Sequence, residues 1–343
     1  MSVETKPDTN KPKKLVISGR QLTLPIILVA VLLIFGIGNP GVFFSPLNIE
    51  SIGFALPEIA LMALVIAVAM LAAGIDLSVV AVANLGAIST SLISTTLQEQ
   101  GQSLQIATAI AVISALLIAA LCGALNAAVI AYLKVAPIIA TLATQMVFAG
   151  LAIGITKGKA QYSGAELLGQ FGSSSFGFIP YILIVAVLIF ALVAFVVKKT
   201  RWGLQMKLFG TSRRSFFYAG ESSTFTTFVV YIMSAMIAGS AGVIQFARTS
   251  SASAEYGTSY LMLAITIAVL AGVNPFGGRP IVWMVLFAAL TLQMLSNGLN
   301  SLGVSPYIYQ ILQGLILVFT LSMNKQVIDK FKSLFKSKKV TDV

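Results

Sequence analysis

Histidine is absent from the 343 residues, and cysteine occurs once, as Cys122. The chain therefore forms no internal disulfide and no Cys/His metal site. Charge is sparse: only 10% of the residues are Asp, Glu, Lys or Arg, against roughly 25% in a soluble domain. There is no GxxxxGK[ST] run, no HExxH run and no nucleophile elbow. These absences remove a phosphate-binding loop of the chain's own, a zinc hydrolase and a serine hydrolase. No His or Lys sits inside an apolar run to relay protons. The chain is a pathway without an evident engine, and it calls for no bound metal or cofactor of its own.

What remains is apolar. Hydrophobic residues make up 57% of the chain, and the mean hydropathy is +0.95. Runs of about 20 apolar residues recur, each long enough to cross a bilayer core as a helix. The short alternating segments of a membrane β-barrel are missing. The fold class is all-α, a polytopic membrane helix bundle with about ten transmembrane helices. The spans read as 22–38, 52–73, 79–97, 104–133, 138–156, 179–197, 224–246, 259–273, 281–299 and 307–323.

Residues 1–20 read as a disordered basic cytoplasmic tail. Residues 21–324 form a single transmembrane domain, and 325–343 a second basic cytoplasmic tail. In that last tail Val327, Phe331, Leu334 and Phe335 share one face. The longest polar interruption, 198–223, contains Lys198, Lys199, Arg201, Lys207, Arg213 and Arg214. With both termini cytoplasmic, the outer segments hold only Lys157, Lys159 and Arg248 of the 22 basic residues. That asymmetry sets the orientation. It also accounts for the net charge of +11 without nucleic acid as a partner; membrane lipid is the surrounding phase.

Two short connections look alike. One reads LMALVIAVAMLAAGIDLSV from Leu61, the other LMLAITIAVLAGVNPFGG from Leu261. A short gap sets Gly74-Ile75-Asp76 beside Gly272-Val273-Asn274. Transporters are often built from internal repeats, although apolar segments also match by chance. Asp76 follows a glycine that permits a chain break. It is expected to cap the next helix by accepting N–H groups near Ser78 and Val79, beside the transport path. Glu58 either faces a water-filled cavity or precedes a span that begins later. Asn84, Asn126, Gln145, Asn297 and Asn300 either contact a polar solute or bridge helices. Gly277-Gly278 reads as a tight turn, and 246–252 as an outer loop, solvated or serving as a docking rim.

Several stretches together resemble the permease subunits of bacterial ABC importers for ribose and related monosaccharides. They are GIDLSV (74–79), IATL (139–142), Thr200-Arg201-x-Gly203, the segment 241–260, GVNPFGG (272–278) and NGLNSLGVSPY (297–307). The resemblance runs from about Phe43 to Asn324. It implies a subunit of the bacterial inner membrane that works by ATP-driven alternating access and is not itself an enzyme. It implies an ABC ATPase partner that carries ATP and Mg, and a periplasmic or lipoprotein sugar-binding protein. A second permease subunit, identical or paralogous, completes the pathway. Segment 198–223 becomes the element that couples to the ATPase, with Gly210, Thr211, Ser212, Arg213, Arg214, Ala219 and Gly220 at the contact. Asp76, Asn84, Asn126, Gln145, Asn297 and Asn300 are the pathway candidates. The family's Gly-Gly-Asn in the coupling segment is replaced here by Gly210-Thr211-Ser212. A nucleoside or branched-chain amino acid permease is the alternative, followed by an ion-coupled transporter using Asp76 or Glu58.

Overall fold

The computed structural model describes residues 19–162, 164–278 and 282–322. Both tails beyond these limits, and Arg279, lie outside the described residues. Hydrocarbon offers the backbone no hydrogen-bond partner, so an apolar chain satisfies its peptide groups by coiling. The helices are α1 (Gly19–Gly38), α2 (Pro40–Phe43), α3 (Pro46–Leu71), α4 (Val79–Glu99), α5 (Leu104–Tyr132), α6 (Pro137–Thr156) and α7 (Glu166–Ser173). A two-stranded hairpin follows, β1 (Ser175–Phe176) and β2 (Ile179–Pro180). Then come α8 (Tyr181–Lys199), α9 (Arg201–Thr211), α10 (Arg213–Tyr218), α11 (Ser223–Thr249), α12 (Tyr260–Leu270), α13 (Val282–Ser301) and α14 (Pro306–Ser322).

Among the described residues, seven helices are long and apolar enough to cross a membrane: α3, α4, α5, α6, α8, α11 and α13. The apolar part of α1, with α12 and α14, is shorter. The segment 157–178, between two of the expected spans, contains α7 and the start of the hairpin.

Helix α3 is the mast of the bundle. Ser45 opens it by accepting from Asn48 N at 3.2 Å, with Pro46 in the first turn, where its missing N–H costs nothing. From Leu56 to Leu71 every residue of α3 is buried. It packs against α8, α11, α12 and α13, while α11 packs against α4 and α5. Among lipid-facing helices apolar burial yields little transfer energy, so close packing holds such contacts. The α5–α11 contact shows it: a Cβ on Gly123 would lie 2.4 Å from the Tyr231 carbonyl oxygen. Cys122 beside it is a free, buried packing residue. The outer helices leave apolar faces exposed, such as Ile106, Ile110, Ile113, Leu117 and Leu121 on α5. Spaced three or four residues apart, these form one apolar stripe on the outside of the bundle.

The two look-alike connections share their geometry. Helix α3 stops where Ala73 turns left-handed (φ 56°) and Gly74 N donates to Ala69 O at 3.1 Å. Helix α12 stops where Gly272 does the same (φ 86°) and Val273 N donates to Ala268 O at 3.1 Å. Both are Schellman stops. A side-chain turn follows each: Asp76 Oδ1 accepts from Ser78 N at 3.0 Å, and Asn274 Oδ1 from Phe276 N at 3.2 Å. The stops pair Ala73 with Gly272, one position away from the sequence match of Gly74 with Gly272, while the turns pair Asp76 with Asn274 as expected.

Candidate functional site

The functional groups gather at the two ends of the bundle. At one end lies the segment 198–223, which folds as two short helices instead of a loop. Side-chain caps explain each start. Thr200 accepts from Gly203 N at 3.3 Å, Ser212 from Ser215 N at 3.1 Å and Ser222 from Phe225 N at 3.2 Å. Glu221 ties the segment closed, 3.2 Å from Arg201 and 2.5 Å from Gln205. Lys198 and Lys199 end α8.

Gly210, at the end of α9, is the contact that joins this segment to the bundle. A Cβ on Gly210 would lie 1.9 Å from the Leu71 carbonyl oxygen, where α3 stops. A Cβ on Gly277, after the α12 stop, would lie 2.1 Å from the Gly210 carbonyl oxygen. One residue is thus pressed between both look-alike connections. Only glycine leaves room for backbones to approach so closely. Thr211 and Ser212 complete the α9–α10 joint, Arg213 and Arg214 begin α10, and Ala219 and the left-handed Gly220 end it. The Arg213 guanidinium stacks 3.6 Å above the Phe209 ring, a cation–π contact. Burial draws the Arg213 pKa below its ordinary value, with Tyr231 opposing the shift. Arg214, Phe217 and Tyr218 face outward.

Just inside this end lies Asp76, 1% exposed. Its Oδ1 accepts from Ser78 N and, at 2.6 Å, from Ser78 Oγ; its Oδ2 accepts from Ser234 Oγ at 3.0 Å. Asp76 therefore sits in a turn before α4 and reaches Ser78, but not the expected Val79. Asn126 Nδ2 donates to Ser78 Oγ at 2.8 Å, and Thr144 Oγ1 to Asn126 Oδ1 at 2.5 Å. Thr141 Oγ1 accepts from Leu77 N at 3.0 Å. The network ties α4, α5, α6 and α11 to the turn that Gly210 supports. Of the pathway candidates, it unites Asp76 and Asn126.

The other candidates stand apart. Asn84 donates to Ala254 O and Tyr256 O at 2.9 and 3.0 Å, pinning the α11–α12 connection. Asn297 donates to Asn48 Oδ1 at 3.1 Å and accepts from Gln293 Nε2 at 2.9 Å, bridging α13 to α3. Gln145 has a buried Oε1 with no partner among the described residues. Asn300 is exposed at the end of α13. Asn84→Ala removes two hydrogen bonds, at roughly 0.5–1.5 kcal/mol each. It is expected to raise hydrogen exchange across 250–259 at least tenfold; unchanged exchange there would show that the loop does not depend on Asn84.

The far end holds a cluster that sequence reasoning divided between two unrelated segments. Glu58 lies inside α3, 1% exposed, because that helix starts earlier than expected, not later. Arg248 lies on α11, not in a solvated loop, and its Nη2 is 2.9 Å from Glu58 Oε2. The same Nη2 donates to Tyr256 OH at 2.8 Å. An acid and a base that both break apolar runs were the available signal; their separation of 190 positions concealed the pairing. Arg248 also lines a cleft of about 260 Å³ among α3, α12, α13 and α14.

Comparison with known proteins places this architecture. Residues 48–321 match the family model described as branched-chain amino acid transport system / permease component. The chain is similar to the D-allose transport system permease protein AlsC of Escherichia coli (strain K12), 28% identical over 302 residues, 88% of this chain and 90% of that protein. It is similar to the autoinducer 2 import system permease protein LsrD of Salmonella typhimurium, 31% identical over 308 residues, 87% of this chain and 89% of that protein. Its likeness to LsrD of Escherichia coli O9:H4 (strain HS) is 30% over 310 residues, covering 88% and 90%. No solved structure matches the chain.

Proposed function

We propose that this chain, which belongs to the branched-chain amino acid transport system permease family, forms the monosaccharide pathway of an ATP-driven importer. It is a multi-pass inner-membrane transport subunit and not an enzyme. The sugar assignment follows the D-allose and autoinducer 2 relatives. Ten spans with both termini cytoplasmic, and one transmembrane domain over 21–324, complete the proposal. The basic-residue asymmetry supports that orientation.

The observation that carries the mechanism is Gly210 held between the α3 and α12 stops. An ATPase would grip the outward face of α9–α10. Motion of that pair would reach both connections directly, and through Asp76 the feet of four helices. ATP binding would favour one arrangement of the bundle over the other, which is what driving an alternating-access switch requires. The ATPase, a sugar-binding protein and a second permease subunit, identical or paralogous, are the proposed partners. ATP and Mg belong to the ATPase.

The test is uptake of labelled D-allose, D-ribose and L-leucine by cells carrying the intact transporter. Sugar uptake that persists after collapse of proton and sodium gradients, and stops when ATP is depleted, is the expected result. Leucine uptake without sugar uptake would assign the amino acid reading instead. Loss of uptake with the gradients would favour ion coupling. Arg214→Glu is expected to cut ATPase co-purification at least fivefold without lowering the melting temperature. Arg213→Glu should do both, because it also loses its stack on Phe209.

A further inference from the structure

We propose that the cleft at the Glu58–Arg248 end is a subsite for a neutral polyhydroxylated solute, read by Gln293, Gln313, Ser296, Tyr309 and Arg248. This rests on the monosaccharide-importer reading and adds the place and chemistry of recognition. The cleft lies far from the coupling end: its α3 residues Ala55 and Ile59 precede Leu71 by 12–16 positions, about 18–24 Å of helix. Its 260 Å³ is at or below the small end of ligand sites, which run from about 300 Å³. A single sugar ring is the appropriate scale.

The lining is polar in a selective way. Gln293 and Gln313 are only 8% and 9% exposed, yet both face the cleft. Gln293 spends its Nε2 on Asn297, which leaves its carbonyl oxygen for a solute. Tyr309 lines the cleft with Gln313 and Ser296 and donates to Leu292 O at 3.1 Å. These groups offer acceptors and donors side by side, as a hydroxyl needs. Leu263 and Pro306 supply apolar wall for the C–H face of a ring.

Charge decides the class. Arg248 is the one charged lining residue, and Glu58 compensates it at 2.9 Å. A carboxylate solute would meet a guanidinium already paired, and an ammonium would meet no free acid. The pair is also incomplete by itself: Glu58 Oε1 and Arg248 Nε are buried without partners among the described residues. Glu58 is the positioning residue, since it holds the guanidinium fork and does not line the cleft.

The test is uptake of labelled D-ribose, D-allose and their mono-deoxy analogues by cells carrying the whole transporter. Gln313→Met keeps the side-chain length and removes the amide. Glu58→Gln keeps the shape and removes the charge. For each, the imported sugar should slow at least tenfold, and the preference for sugar over deoxy analogue should narrow at least threefold. Arg248→Ala strands Glu58 and can fail to fold, so Gln313→Met decides. Sugar uptake within twofold of wild type in Gln313→Met, or an equal slowing of sugar and deoxy analogue, overturns the subsite. Wild-type cells that import leucine and no sugar overturn the importer reading, and this one with it.

Discussion

Gly210→Val is expected to lower solute import more than tenfold while the ATPase still co-purifies. The reason is steric. The first side-chain carbon at this position would stand 1.9 Å from the Leu71 carbonyl oxygen. No rotamer relieves that contact, because the obstacle is backbone. Overpacking in a core costs about 1–3 kcal/mol when side chains can yield, and here the end of α3 must move. Such movement separates α9 from the two connections it supports. Arg214, Phe217 and Tyr218 remain outward, so docking survives. Gly210→Ala should give an intermediate loss. Gly150→Ala is the control, since a Cβ there meets nothing within 4 Å, and its import should stay within twofold of wild type. Normal import by Gly210→Val would remove the wedge from the coupling route.

Asp76 supports the second large effect, and the choice of replacement separates two mechanisms. Asp76→Ala deletes the acceptor for Ser78 N, Ser78 Oγ and Ser234 Oγ in a fully buried site. Each buried donor left without a partner costs roughly 1–3 kcal/mol. Import should fall more than tenfold, with a lower melting temperature. Asp76→Asn keeps the shape and one carbonyl acceptor, and the serine hydroxyls can rotate to accept from the new amide. It should retain at least half of wild-type import. If Asp76 carried a coupling proton, the Asn variant would be as dead as the Ala variant. Equal loss in both would therefore reopen the ion-coupled reading.

Local chemistry made part of this site legible. Asp76 two positions before Ser78 announces a side-chain turn, and the caps at Thr200, Ser212 and Ser222 are short-range features of the same kind. Helix positions were legible too: ten apolar segments correspond to α1, α3–α6, α8 and α11–α14, of which seven are long and apolar enough to cross a membrane. The α9–α10 joint was seen only as a basic gap, because two helices of 11 and 6 residues leave little periodicity to read. Gln293 and Gln313 gave no signal, for an amide inside a span reads equally as helix bridge or pathway.

Membrane residence, a mostly helical build and an uneven spread of basic residues along the chain follow from the amino-acid sequence by itself. They depend on composition and run length, which are properties of each segment taken singly. The pairing of Glu58 with Arg248, the joining of Asp76 to Asn126, and the seat of Gly210 between two connections were decided only in the tertiary structure. Each needs two or three helices, distant in the chain, to meet at a stated depth. With lipid and protein equally apolar, hydropathy does not choose which faces meet. Close packing and buried hydrogen bonds choose, and these exist only once the helices are assembled.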